Sequence, residues 1–170
     1  VRALNRPRGR KSANAITDDI LDKLLATCSG ENLTALRDRA ILMVAFASGG
    51  RRRSEVAGLR VEQLVKQPPV TDEDGSPLPS LGIHLGRTKT SGAGHDETVY
   101  LTGRPIEALT RWLEAARIDK GSVFRKVDRW GNVSARALEP SAVNRIVKQR
   151  AQMAGLDATE FSAHGLRSGY

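Results

Sequence analysis

The stretch from Leu36 to Leu59, LRDRAILMVAFASGGRRRSEVAGL, decides how the rest of the chain is read. Its first half repeats apolar residues at Leu36, Ala40, Val44 and Ala47, the three-to-four spacing of a helix that buries one stripe. Gly49-Gly50 ends that helix, because glycine takes the left-handed backbone of a helix C-terminus at no steric cost. Arg51, Arg52 and Arg53 follow at once. Three successive guanidiniums cannot all enter a core, so at least one points outward at a helix junction. A short helix is expected from Ser54 through Leu59, with Glu55 close enough to orient one guanidinium. A solvated charge run is the ordinary reading of such a triplet. Attachment to the most apolar helix in the chain instead anchors these arginines on rigid structure.

Upstream, ITDDILDKLLATC reads as a helix, with Thr17 as cap, Asp18 and Asp19 at its positive end, and Ile16 stapled to Leu21. Downstream, Pro68-Pro69 and TDEDGSPLPS are expected to break all regularity and form a surface loop. LGIHLGRTKT then places Ile83 and Leu85 on one strand face, and ETVYL supplies a partner strand, with SGAGHD as the hairpin tip. RPIEALTRWLEAARI is a helix opened by Pro105, with Ile106, Leu109 and Leu113 on its buried stripe. VFRKVDRWGNVSARAL is ambiguous and compatible with an exposed loop, and PSAVNRIVKQRAQMAG reads as a helix between Pro140 and Gly155. Ser162 can cap a last helix carrying His164 and Arg167. The class is mainly α with a small antiparallel β-sheet.

At 170 residues the chain is one domain with room for a real core. The balance of 27 basic against 19 acidic residues, a net +8, suits nucleic acid, though also an anionic membrane surface or plain solubility. Cys28 is the single cysteine, which rules out an internal disulfide and favours a reducing, cytoplasmic setting. No apolar run approaches membrane-spanning length. Residues 1–13 cluster Arg2, Arg6, Arg8, Arg10 and Lys11 around Pro7 and Gly9, the composition of a basic linker rather than a folded start.

Chemistry concentrates in three places. His164 and Arg167, three apart on a helix, point at one spot and suit an anion. Lys89 stands at the mouth of the hairpin in GRTKTSGAG, where the spacing of a nucleotide-binding phosphate loop fails. The arginine triplet is the third. His84, His95 and His164 are scattered without metal-ligand spacing, so no metal site is expected. Taken singly, Lys89 reads as an exposed strand-end lysine and His164 as a satisfied helix-start histidine.

Taken in order, GGRRRSE, GRTKT and HGLR resemble the tyrosine recombinase, or phage integrase, family from about Thr17 onward. The G-x-R-x-S-E frame on Gly50, Ser54 and Glu55 makes Arg52 the first catalytic arginine, with Glu55 its supporting acid. The family's hairpin lysine falls on Lys89 and its H-x-x-R on His164 and Arg167. The resemblance implies the DNA breaking-rejoining catalytic fold and strand exchange through a 3′-phosphotyrosine, without metal or cofactor. It further implies double-stranded DNA as partner, a homotetramer on that DNA, no membrane, and a cytoplasmic, nucleoid-associated location. Arg6, Arg8, Arg10, Lys11, Arg51 and Arg53 are then expected on the DNA backbone.

The family's nucleophilic tyrosine lies on a helix after H-x-x-R. Tyr170 stands too close to Arg167 for that place and Tyr100 lies in a strand, so neither is assigned as nucleophile. The expectation is a catalytic domain over 14–170, behind a linker over 1–13 and without its closing helices, that binds DNA phosphate and does not cleave. A degenerate, non-catalytic integrase of the same fold is the alternative.

Overall fold

The computed structural model describes residues 18–48, 53–86 and 97–157. Three helices open it: α1 (Asp18–Ala26), α2 (Leu33–Ala47) and α3 (Arg53–Ala57). A 3-10 turn, Val61–Gln63, leads into the strands β1 (Leu64–Thr71), β2 (Pro77–Gly86) and β3 (Glu97–Thr102). Then come α4 (Arg104–Ala116), β4 (Arg125–Val127), β5 (Val133–Ala137) and α5 (Pro140–Met153). Helices with small antiparallel sheets are the class expected.

The axis of the core is α2. Asn32 starts it by accepting the Ala35 amide at 2.9 Å, which satisfies one of the orphan donors of the first turn. One apolar stripe was expected, yet α2 is buried almost all round, from Ala35 through Ala45 except Arg39, while Ala47 is only half-buried. The cause is its surroundings: α1, α3, α4 and α5 all pack on it. Burial of Arg37 and Asp38 is tolerated because the charges are paired. Asp38 Oδ1 meets Arg37 Nε at 3.0 Å and Nη2 at 2.9 Å. Its Oδ2 accepts from Arg150 Nε of α5 at 2.9 Å, with Arg150 Nη2 also at 2.9 Å. Arg150 Nη1 reaches Thr27 O at 2.8 Å and Arg37 Nη1 reaches Arg125 O at 3.2 Å. One carboxylate thus ties α2 to α5, and through the two arginines to the end of α1 and to β4.

The loop expected over Pro68-Pro69 and 71–80 is largely sheet. β1 pairs antiparallel with β2 from Leu64↔Ile83 to Thr71↔Pro77, and the register shifts between Gln67 and Val70. That bulge holds the two prolines, and β1 is the edge of the β1-β2-β3 sheet, where a missing ladder donor costs least. Only residues 72–76 remain a turn, with Gly75 at φ +84°. The expected strand pair is present as β2–β3, with Leu81↔Leu101 and Ile83↔Val99, and Ile83 and Leu101 enter the core.

The loop expected over 123–138 is a hairpin. β4 pairs with β5 at Arg125↔Ala137 and Val127↔Val133. Its root is fixed by fully buried Val123 and Phe124, and Leu138 N donates to Phe124 O at 2.9 Å. The buried face of α4 includes the expected Leu109, with Ile106 and Leu113 at its half-buried margin. It centres on Pro105, Ala108, Leu109 and Trp112, because the Trp112 ring fills the core and donates Nε1–H to Val123 O at 2.8 Å. Cys28 is buried as a core residue, and burial pushes its thiol pKa up.

Candidate functional site

Glu55 is the one expected site residue whose side chain the structure describes. It lies on α3 and is half-buried. The cleft beside it is lined by Val44 and Ser48 from the end of α2, Glu55, Val56 and Leu59 from α3 and its exit, and Ile83, Leu85 and Val99 from β2 and β3. Ser48 caps α2, its amide donating to Val44 O at 3.0 Å.

Arg51, Arg52, Lys89, His164 and Arg167 lie outside the described residues, as do Arg6, Arg8, Arg10, Lys11 and the cap at Thr17. Arg53 opens α3, and its side chain is likewise outside them. The described elements fix where the neighbouring segments join the body. Residues 49–52 connect Ser48 to α3, and residues 87–96 connect β2 to β3. Both connections start from elements that line the Glu55 cleft. α5, which precedes the segment carrying His164 and Arg167, packs against α3.

A second concentration of basic residues was not foreseen. From Arg117 to Lys148 the exposed or half-buried basic residues are Arg117, Lys120, Arg125, Lys126, Arg129, Arg136, Arg145 and Lys148, against Asp119, Asp128 and Glu139. Arg60, Arg117, Lys120 and Arg125 line a cleft that also carries Glu62 and Asp119. Its floor is ordered: Glu62 Oε2 accepts the Gly121 amide at 2.9 Å, and that bond holds the Glu62 carboxyl below its usual pKa. Arg125 Nε and Nη2 bond Ser122 O and Lys120 O at 2.7 and 2.6 Å. The only signal in sequence was charge density, spread too evenly there to stand out. Among the described residues no group of His, Cys, Asp and Glu suits a metal ion, and no helix is long and apolar enough to cross a membrane.

Residues 14–170 match the family model described as the phage integrase family. An integrase/recombinase xerD homolog of Selenomonas ruminantium is 30% identical over 176 positions, covering 99% of this chain and 48% of the relative. The tyrosine recombinase XerD of Xanthomonas axonopodis pv. citri is 29% identical, covering 95% of this chain and 49% of the relative. The chain spans about half the length of the curated relatives it matches. Among solved structures it resembles the XerH site-specific recombinase bound to difH substrate in a pre-cleavage complex, at a TM-score of 0.60 and 20% identity, over 96% of this chain and 43% of that one. The XerH post-cleavage complex with palindromic difH gives a TM-score of 0.62 at 21% identity, over 97% and 43%. These 170 residues belong to the phage integrase family and have the fold of a tyrosine-recombinase catalytic domain.

Proposed function

We propose that this chain is the phosphate-binding body of a site-specific tyrosine recombinase acting on double-stranded DNA. Residues 14–170 form its catalytic domain, residues 1–13 a basic linker, and the assembled protein works as a homotetramer on DNA in the cytoplasm. Arg52 and Arg167 clamp the non-bridging oxygens of the scissile phosphate, where charge grows as a phenolate attacks. Lys89 protonates the departing 5′ oxygen, and His164 exchanges a proton or hydrogen bond with the phosphate. Glu55 orients Arg52. Arg51, Arg53 and the basic residues of 1–13 add contacts to the DNA backbone.

The observation that supports this most is the position of Glu55 in a cleft shared by the end of α2, α3, β2 and β3. The segments that carry Arg52 and Lys89 begin at that cleft's walls. Both XerH structures that share the fold are site-specific recombinases bound to a difH substrate, one before cleavage and one after it. Neither Tyr100, on β3, nor Tyr170 takes the attacking role in this reading. A clamp and a proton donor accelerate the exchange only when a nucleophile is in line with the leaving oxygen.

The test is a denaturing gel of labelled suicide-substrate DNA. These 170 residues alone should form no covalent adduct. Supplying a tyrosine-bearing segment, in the same chain or from a neighbouring protomer, should give one, and Arg167→Ala should then abolish it. A band from the 170 residues that vanishes on Tyr170→Phe would overturn the assignment of the nucleophile.

A further inference from the structure

We propose that the turn between β4 and β5 is a separate DNA-docking element, with Arg129, Lys126 and Arg136 on backbone phosphates and the Trp130 ring against the sugar edge of the duplex. The inference rests on the DNA reading above and extends it to residues that reading does not use. Trp130 is 72% exposed, and the Arg129 guanidinium stacks over its ring at 4.4 Å from the centroid. A large ring held in water makes no contribution to this domain's own core.

The ring is held in place by a stiff turn. Asp128 Oδ1 accepts the Trp130 amide at 2.9 Å and the Asn132 amide at 2.8 Å, and Oδ2 accepts Asn132 Nδ2 at 3.0 Å. Gly131, at φ +85°, lets the chain reverse, and its amide donates to Asp128 O at 3.0 Å. A tip already ordered loses little entropy on binding. Lys126, Arg129 and Arg136 are exposed, and no ion pair among the described residues engages them. Unpaired guanidinium and ammonium groups around one aromatic face suit a phosphate-sugar backbone. The basic cleft of Arg60, Arg117, Lys120 and Arg125 adjoins this hairpin through Arg125 and Ala135.

Placement ties the tip to the proposed pocket. Val123 N donates to Leu59 O at 2.9 Å, and Ser122 bridges Arg60, so the hairpin root grips the exit of α3. α3 has five residues, about 7.5 Å of helix, and Arg52 directly precedes it. The hairpin root is thus one short helix away from the point where the segment carrying Arg52 joins the body.

Two readouts on the 170-residue chain test this. The chain has two tryptophans, and Trp112 is fully buried, so acrylamide quenching reports on Trp130. Binding of a labelled duplex, followed by anisotropy, should be accompanied by a several-fold drop in quenching. The double variant Arg129→Glu/Trp130→Asp should bind about tenfold more weakly at low salt, with a salt slope shallower by about one. It should keep its fold, because Glu73-Asp74 occupies the equivalent turn positions between β1 and β2. Unchanged affinity in the variant, or full quenching of Trp130 in the bound complex, overturns the hairpin inference and leaves the recombinase reading standing. No duplex binding by the unsubstituted chain overturns both. Protection of Trp130 by phosphatidylserine vesicles but not by duplex would assign the tip to a membrane surface instead.

Discussion

The turn between β1 and β2 and the turn between β4 and β5 close on the same set of bonds. In the first, the Asp72 amide donates to Ser76 O at 2.9 Å and the Gly75 amide to Asp72 O at 3.1 Å. Asp72 Oδ1 accepts from the amides of Asp74 and Ser76. In the second, Asp128, Trp130, Gly131 and Asn132 repeat each of these contacts, and the two glycines sit at φ +84° and +85°. The positions between aspartate and glycine hold Glu73-Asp74 in one turn and Arg129-Trp130 in the other. Backbone geometry demands the aspartate and the glycine. It places no demand on the two residues between, so their charge is free to serve the surface. One tip repels a phosphate backbone and the other attracts it.

The largest expected effect breaks the comparison at the roots. β1–β2 belongs to a three-stranded sheet, whereas β4–β5 has two strands and leans on the Arg37 bond to Arg125 O. Asp38→Ala leaves two buried guanidiniums without their shared carboxylate. It should cost about 3–5 kcal/mol in urea unfolding, and amide exchange should rise in β4–β5 before β1–β2. Equal exchange in both hairpins would show that the buried network does not support the second one.

A smaller effect sharpens the likeness of the frames. An added Cβ at Gly75 or Gly131 meets nothing within 4 Å, so Gly75→Ala and Gly131→Ala are opposed only by the positive φ. Each should lose about 1–2 kcal/mol in thermal unfolding, and by the same amount. Unequal losses would mean that the turns differ in more than their tips.

The smallest effect is a pH dependence. The bonds from the Asn132 backbone and side chain hold the Asp128 carboxyl below its usual pKa. A depressed folded value means that this stabilisation is fully present above the ordinary aspartate pKa and is lost as pH falls through the lowered one. The Trp130 and Asn132 amide shifts, followed by NMR, should therefore stay constant down to about pH 4 and move only below it. Movement at higher pH would place the Asp128 carboxyl elsewhere.

Most helices were legible in the sequence because their periodicity and end signals are local: Pro105 and Pro140 open α4 and α5, and Gly155 at φ +79° follows α5. The misread regions share one cause. Pro68-Pro69 and Pro77-Leu-Pro79 look like breakers until β2 pairs with an edge strand that a bulge can bend, and pairing is not local. Val123 and Phe124 look like part of a loop until Trp112 and Leu59 bond the same stretch. The site divides the same way. The frame around Glu55 was readable as a motif, whereas the basic cleft of Arg60, Arg117, Lys120 and Arg125 forms where the hairpin root meets the exit of α3, a contact that composition alone does not announce. Arg37, Asp38 and Arg150 were not singled out in the sequence, because only their mutual pairing in the fold lets charged side chains be buried there.

The proposed phosphate pocket is tested most directly by a crystal structure of this chain bound to duplex DNA. The Arg52 and Arg167 guanidiniums should lie within hydrogen-bond distance of one phosphate, with His164 beside it and Glu55 against Arg52. Guanidiniums on opposite faces of the domain, with no phosphate between them, would contradict the recombinase pocket outright.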